Sequence, residues 1–141
     1  MKKDEIVTVT IEDMSSEGLG VGRSDGLTLF VKDTVIGDTA EVKIMKMKKT
    51  YGYARLIRLI RPGKDRIPAP CPVAKQCGGC QIQAMNYEAQ LRFKENKVRG
   101  NLQRIGKFDN PPMEPIIGMQ EPFRYRNKAQ FPIGRDADGK I

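Results

Sequence analysis

TAEVKIMKM, residues 39–47, and YGYARLIRLI, residues 51–60, read as two β-strands joined by a short basic turn. In the first, Ala40, Val42, Ile44 and Lys46 fall on one face and Glu41, Lys43, Met45 and Met47 on the other. A period of two is the pattern of a half-buried strand. Toward the N-terminus, residues 33–37 make a connection, and Leu27 to Val31 reads as a further strand. Asp25-Gly26 before it is a hairpin signal. Gly18, Gly20 and Gly22 punctuate a bent strand, where glycines often mark bulges. In EIVTVTIE, residues 5–12, Ile6, Thr8 and Thr10 alternate with Val7, Val9 and Ile11. Five short strands follow one another with no helical period between them. A barrel removes sheet edges at this size. The sequence therefore predicts a mainly β protein whose residues 1–61 form a five-stranded OB-like barrel. A five-stranded barrel of the SH3 kind is the alternative.

The pattern changes at Pro62-Gly63. Pro62, Pro68, Pro70 and Pro72 keep the next stretch extended. Asn86 can cap a following helix, with Glu88 in its first turn. Tyr87, Leu91, Val98, Leu102 and Ile105 lie near one face of it. Glu88–Arg92 and Glu95–Arg99 are i,i+4 pairs, and Gly106 fits the stop. Residues 128–133, KAQFPI, suggest a strand, and Asp136 to Gly139 a hairpin turn. Residues 62–141 thus read as part of an α+β domain: a cysteine loop, one helix and the start of a hairpin.

Composition narrows the function. Lys plus Arg is 25 against 17 for Asp plus Glu, a net charge of +8 that favours anionic partners. With no histidine, the chain holds no Ser-His-Asp triad, Cys-His dyad or His-bearing zinc site. Walker A and GxGxxG motifs are absent, and GLGVG lacks the Rossmann spacing. No apolar run is long enough to span a membrane, and residues 1–5 carry no secretory h-region. The expectation is a cytoplasmic protein without a membrane partner, and a chain that is not by itself a complete enzyme.

Cys71, Cys77 and Cys80 form C-x5-C-x2-C within CPVAKQCGGC. Clustered thiolates on a loop suit a soft metal centre. A cubane iron–sulfur cluster and a structural zinc each want four ligands. The spacing leaves three readings open: a [4Fe–4S] site with its fourth ligand beyond residue 141, a zinc site missing a ligand, or an incidental thiol or disulfide pair. The odd ligand count and the one-stranded hairpin both lead to the expectation of a longer protein.

From Val42 to Lys64 there are eight basic residues and no acidic one. Tyr51 and Tyr53 interleave with Lys46, Lys48, Lys49 and Arg55. Cations that follow phosphates, beside rings that stack on bases, suit single-stranded nucleic acid. A solvated face is the plainer reading of any one lysine. A membrane surface fits less well, because the charges lie on strands rather than on an amphipathic helix. A second cluster holds Arg124, Arg126 and Lys128 with Phe123 and Tyr125 between.

CPVAKQCGGCQIQAMNYEAQLRFKENKVRGNLQRIG and EPFRYRNKAQFPIG resemble the iron–sulfur segment and a following block of the RNA uridine-C5 methyltransferases. The N-terminal barrel resembles the TRAM domain that begins many of them. The resemblance implies methyl transfer from S-adenosylmethionine to C5 of a uridine, with a catalytic cysteine and a carboxylate base in a C-terminal Rossmann-like domain outside this chain. The target base is expected to be flipped out of its fold. Cys71, Cys77 and Cys80 match the first three ligands of the family's [4Fe–4S] cluster, so none of them is the nucleophile. The TRAM-type start is more like the ribosomal members, which implies 23S ribosomal RNA as partner and no DNA. RNA contacts are expected at Lys46, Lys48, Lys49, Tyr51, Tyr53 and Arg55, and at Arg124, Arg126, Asn127, Lys128 and Gln130. The alternative is a freestanding RNA-binding module with a zinc or incidental thiol loop.

Overall fold

The computed structural model describes residues 1–125, 127–128 and 133–141. Five strands, β1 (Ile6–Met14), β2 (Gly20–Ser24), β3 (Leu27–Lys32), β4 (Thr39–Met47) and β5 (Tyr51–Arg61), close into a barrel in the order β1-β2-β3-β5-β4. All pairs are antiparallel except β3–β5, which is parallel. The closure agrees with the OB-like expectation. Val9, Ile11, Leu29, Val31, Ala40, Val42 and Ala54 fill the barrel, as the alternation of each strand requires.

The bend beside the glycine-rich strand lies on its partner. The register shifts on β1, between Ile11 and Asp13, opposite Gly22 and Val21. Gly22 faces inward, and a Cβ there would run into the Val9 side chain and the Thr10 carbonyl. β4 also departs from strict alternation. A shift between Ile44 and Lys46 lets Ile44 stay buried while Lys46 turns outward beside Tyr53. The expectation that Lys46 shares the face of Ala40, Val42 and Ile44 is thereby corrected.

The segment after the barrel is tied back to it. Asp38, fully buried on the β3–β4 connection, accepts from the Gly63 N–H at 2.9 Å and from the Arg66 guanidinium at 2.7–3.1 Å. A second small core joins Met14 and Val35 to Met85 and Ala89, with Phe93 packed against it. A single turn, α1 (Ala74–Cys77), precedes the long helix α2 (Tyr87–Arg104). The Asn86 side chain caps α2 by accepting the Ala89 N–H at 2.8 Å.

Two expectations for α2 change. Ala89 and Phe93 face the protein, whereas Val98 and Ile105 are 51% and 77% exposed. Glu95–Arg99 forms at 3.2 Å, but Arg92 reaches Asp65 rather than Glu88. The Asp65 carboxylate also takes the Asn86 Nδ2–H, so it collects the cap and Arg92 together. Gly106 follows directly on the Ile105 C-cap, in agreement with the stop read there, and the left-handed residue is the next one, Lys107, at φ 60°. The turn at Asp136–Gly139 forms, with the Gly139 N–H on the Asp136 carbonyl at 3.1 Å. The strand expected over 128–133 falls mostly on residues 129–132, outside the described residues.

Candidate nucleic-acid interface

In the parallel β3–β5 pair, Thr28 sits opposite Tyr51, Phe30 opposite Tyr53 and Lys32 opposite Arg55. Leu29, Val31, Gly52 and Ala54 point into the barrel, so these three pairs face out. Phe30, Tyr51 and Tyr53 form a cluster with ring centroids 5.6–5.7 Å apart. Two of its contacts are edge-on, and Tyr53 is 39% exposed. The interior of the barrel does not need these rings. They form an outer platform of the kind on which bases stack.

Cations border the platform. Lys46 lies beside Tyr53 in register, and Lys32 and Arg55 continue it along β3 and β5. Arg23 approaches from β2, opposite Thr28. Lys48 and Lys49 sit exposed in the β4–β5 turn. Not all of the basic run is available. Lys43 is paired with Asp4 at 2.8 Å, and Arg58 binds Glu41 through two N–H groups at 2.8 and 2.9 Å. The Lys43 hydrogen bond holds the Asp4 carboxyl below its ordinary value, and the Glu41 hydrogen bond raises Arg58. Among the described residues, Lys46, Lys48, Lys49 and Arg55 make no ion pair. They remain available for phosphates.

Sequence reasoning missed Phe30 and Arg23. The signal was present: once Leu29 and Val31 are assigned inward, Phe30 must face out between Thr28 and Lys32.

Arg124, Asn127 and Lys128 are exposed in the segment after α2, whereas Arg126 and Gln130 lie outside the described residues. Phe123 and Tyr125, on either side of Arg124, line a cleft against the cysteine loop.

That loop is pinned at its base. The Ile67 N–H donates to the Ala84 carbonyl at 2.8 Å, and Arg66 and Met85 form a bridge. Cys71 is half-buried, and Cys77 and Cys80 are exposed. Cys71 and Cys80 line one cavity of about 470 Å³, together with Arg66 and Thr34; Cys77, the last residue of α1, is not part of its wall. Among the described residues no group of three His, Cys, Asp or Glu side chains is placed to hold a metal ion. Three thiols are chemically suited to a soft metal. A [4Fe–4S] cluster requires a fourth donor beside them.

A closed five-stranded barrel with an outward face of aromatic rings and cations is an architecture of oligonucleotide-binding modules. Residues 2–57 match the TRAM domain model. Over all 141 residues the chain is 48% identical to an uncharacterized RNA methyltransferase of Halalkalibacterium halodurans, covering 100% of this chain and 31% of that protein. It is 44% identical over 137 residues to an uncharacterized RNA methyltransferase of Gloeobacter violaceus, covering 96% of this chain and 30% of that protein. A crystal structure of a tRNA (uracil-54, C5)-methyltransferase of Pyrococcus abyssi, in complex with S-adenosyl-L-homocysteine, shares 27% identity. That match covers 71% of this chain and 21% of the other, with a TM-score of 0.41, too low to support a comparison of folds. Residues 2–57 thus carry a TRAM domain, and the whole chain is similar to the N-terminal part of curated proteins named RNA methyltransferases. It spans about a third of the length of the curated relatives it matches. No helix among the described residues is long and apolar enough to cross a membrane.

Proposed function

We propose that this chain is the RNA-holding, cysteine-bearing part of an S-adenosylmethionine-dependent methyltransferase that modifies C5 of a uridine in ribosomal RNA. The observation that carries the reading is the outward platform of Phe30, Tyr51 and Tyr53 bordered by Lys46 and Arg55. Relatives named RNA methyltransferases support the reaction class. The cysteine block and EPFRYRNKAQFPIG support uridine C5, and the TRAM-type start supports ribosomal RNA over transfer RNA.

In this reading residues 1–61 and residues 62–141 have separate tasks. The barrel's rings stack on unpaired bases for about 1–3 kcal/mol each, while its lysines and arginines follow the phosphates. Residues 62–141 carry the cysteines and further RNA contacts at Arg124, Arg126, Asn127, Lys128 and Gln130. S-adenosylmethionine supplies the methyl group, bound outside these residues. Cys71, Cys77 and Cys80 are three ligands of a [4Fe–4S] cluster, which requires a fourth donor to join them.

The test is to map 5-methyluridine in ribosomal and transfer RNA from cells with and without the gene. Loss of a ribosomal site is the expected result. The wild-type gene should restore the site, and a triple Phe30→Ala, Tyr51→Ala, Tyr53→Ala variant should restore it poorly. Loss confined to transfer RNA would move the target there, and no loss in either would overturn the reading.

A further inference from the structure

The cations of α2 divide into two groups. Arg92 pairs with Asp65 and Arg99 with Glu95. Lys97 and Arg104 make no ion pair and no side-chain hydrogen bond among the described residues. Both stand in the wall of a cavity of about 340 Å³ between α2 and the β1–β2 turn. Asp13, Ser15 and Ser16 face them from the barrel side, and Asn101 lies between them on the helix. Lys97 is half-buried. Burial of a charge is unfavourable without a partner, so an anion entering this cavity meets a cation already partly stripped of water. Asp13 is the one acid of the wall among the described residues, and its Oδ1 accepts the Met14 N–H at 2.7 Å.

Gly100 belongs to the same wall. It sits inside α2, where glycine is a poor helix former. Arg104 explains its place. A Cβ at position 100 would come 2.9 Å from Arg104 Nη2, 3.3 Å from Cζ and 3.8 Å from Nε. Those are the nearest atoms outside the helix's own backbone, so the guanidinium alone occupies the space a side chain would take. The glycine lets the guanidinium fold back over the helix at the cavity.

The cavity is continuous with the aromatic platform. Asp13 lies opposite Val21, Val21 opposite Phe30 and Phe30 opposite Tyr53, one row across the barrel. Adjacent strands are about 4.8 Å apart, so Asp13 stands about 10 Å from Phe30 along that row. A few nucleotides of an extended strand cover that distance. A guanidinium grips a phosphate with two N–H groups, and an ammonium adds a point charge. We infer that this cavity takes a backbone phosphate of the RNA strand that crosses the platform, held by Arg104 and Lys97, with Gly100 seating the guanidinium. The inference rests on the RNA-binding reading and extends the RNA path from the barrel to α2. Such a contact positions the strand and is indifferent to base.

The test measures binding of the intact protein to oligouridine of about 16 nucleotides, the upper site size of such a barrel, over a salt series. Lys97→Ala with Arg104→Ala should weaken binding and lower the slope of log affinity against log salt by about 0.7, one phosphate contact. Gly100→Ala should also weaken binding, with its urea midpoint at or above wild type, because alanine favours the helix. Loss of affinity in a protein that is no less stable separates a displaced guanidinium from a damaged helix. Adding Gly100→Ala to Arg104→Ala should weaken binding no further than Arg104→Ala alone. Full affinity and slope in the Lys97 and Arg104 double variant, with oligouridine bound by wild type, would overturn the cavity and leave the platform reading intact. Additive losses for Gly100→Ala and Arg104→Ala would overturn the role of Gly100. An unchanged slope together with lost stabilisation by inorganic phosphate would replace the RNA strand by a free anion. Failure of the wild-type protein to bind RNA would overturn both readings.

Discussion

Arg66 reaches across 28 residues to a fully buried Asp38, with Nη2 2.7 Å from Oδ2 and Nε 2.9 Å from Oδ1. The same carboxylate accepts the Val35 and Gly63 N–H groups, and Arg66 Nη2 also donates to the Asp33 carbonyl at 2.9 Å. The pair fastens the β3–β4 connection to the start of the cysteine-bearing segment. Removing one partner strands the other charge out of water, which costs about 3–5 kcal/mol. Arg66→Ala and Asp38→Asn should each lower the unfolding free energy of the intact protein, read from urea titrations, by that order. Arg66→Lys should recover only part of the loss, since an ammonium cannot make the two-pronged contact. Unfolding free energies within about 0.5 kcal/mol of wild type would show that the junction adds no stability.

Gly52 lies on β5 facing the barrel interior. A Cβ there would meet Met47 Sδ at 2.6 Å and Leu29 Cδ2 at 3.1 Å. The sulfur sits on a flexible chain, but the leucine is fully buried. Gly52→Ala should destabilise by about 1–3 kcal/mol, as overpacking does. Because residues 51 and 53 flank it on the outer face, the change should also weaken RNA binding. Combining it with Met47→Ala should restore part of both, and an unchanged denaturation midpoint for the single variant would contradict the packing described.

The RNA face divides into charge and stacking, and salt separates them. Replacing Lys46, Lys48 and Lys49 together by Ala should flatten the plot of log affinity against log salt. Each lost phosphate contact removes about 0.7 from the slope on single strands, so three remove roughly 2. Phe30→Ala or Tyr53→Ala should instead lower affinity roughly 5- to 100-fold with the slope unchanged. An unaltered slope in the triple lysine variant would move the RNA away from this face.

Much of this was legible in the sequence because alternation is a local signal. Ala40, Val42 and Ile44 show their inward face by spacing alone, and Asn86 announces its helix through a capping side chain. Lys46 was misplaced because a register shift is set by the partner strand, which spacing along β4 cannot reveal. Arg92 was misassigned because its choice of Asp65 over Glu88 depends on a contact 27 residues away. Phe30 was overlooked because its importance comes from lying beside Tyr53 in a parallel pair, and parallel pairing is a property of closure.

Asp65 offers a test in pH. The Asn86 side-chain hydrogen bond, with Arg92 adding to it, holds the Asp65 carboxyl below its ordinary value. A carboxyl lowered in the folded state stabilises above its unfolded value, about 3.9, and that gain is lost as pH falls through the lowered folded value. The site is partly open to solvent, so the gain is under about 1 kcal/mol. Asp65→Asn should therefore be less stable than wild type at pH 7, with the gap closing toward pH 3. A gap that persisted or widened in acid would place the Asn86 cap, not the charge, in control. Asn86→Ala should cost about 1 kcal/mol at either pH.

The cysteine proposal makes the remaining prediction. Purified without oxygen, the intact protein should hold about four irons and four sulfides and absorb in the visible. Cys77 is the informative position. It is exposed at the end of α1, outside the cavity that Cys71 and Cys80 line, and it belongs to neither core cluster. Cys77→Ser therefore disturbs no packing, and its denaturation midpoint in the metal-free state should match wild type. Lost iron in that variant would report lost ligation rather than unfolding. Zinc without sulfide would convert the proposal to a structural zinc site. Full iron and sulfide in Cys77→Ser would remove Cys77 from the ligand set, and no metal in the wild-type protein would end the cluster reading.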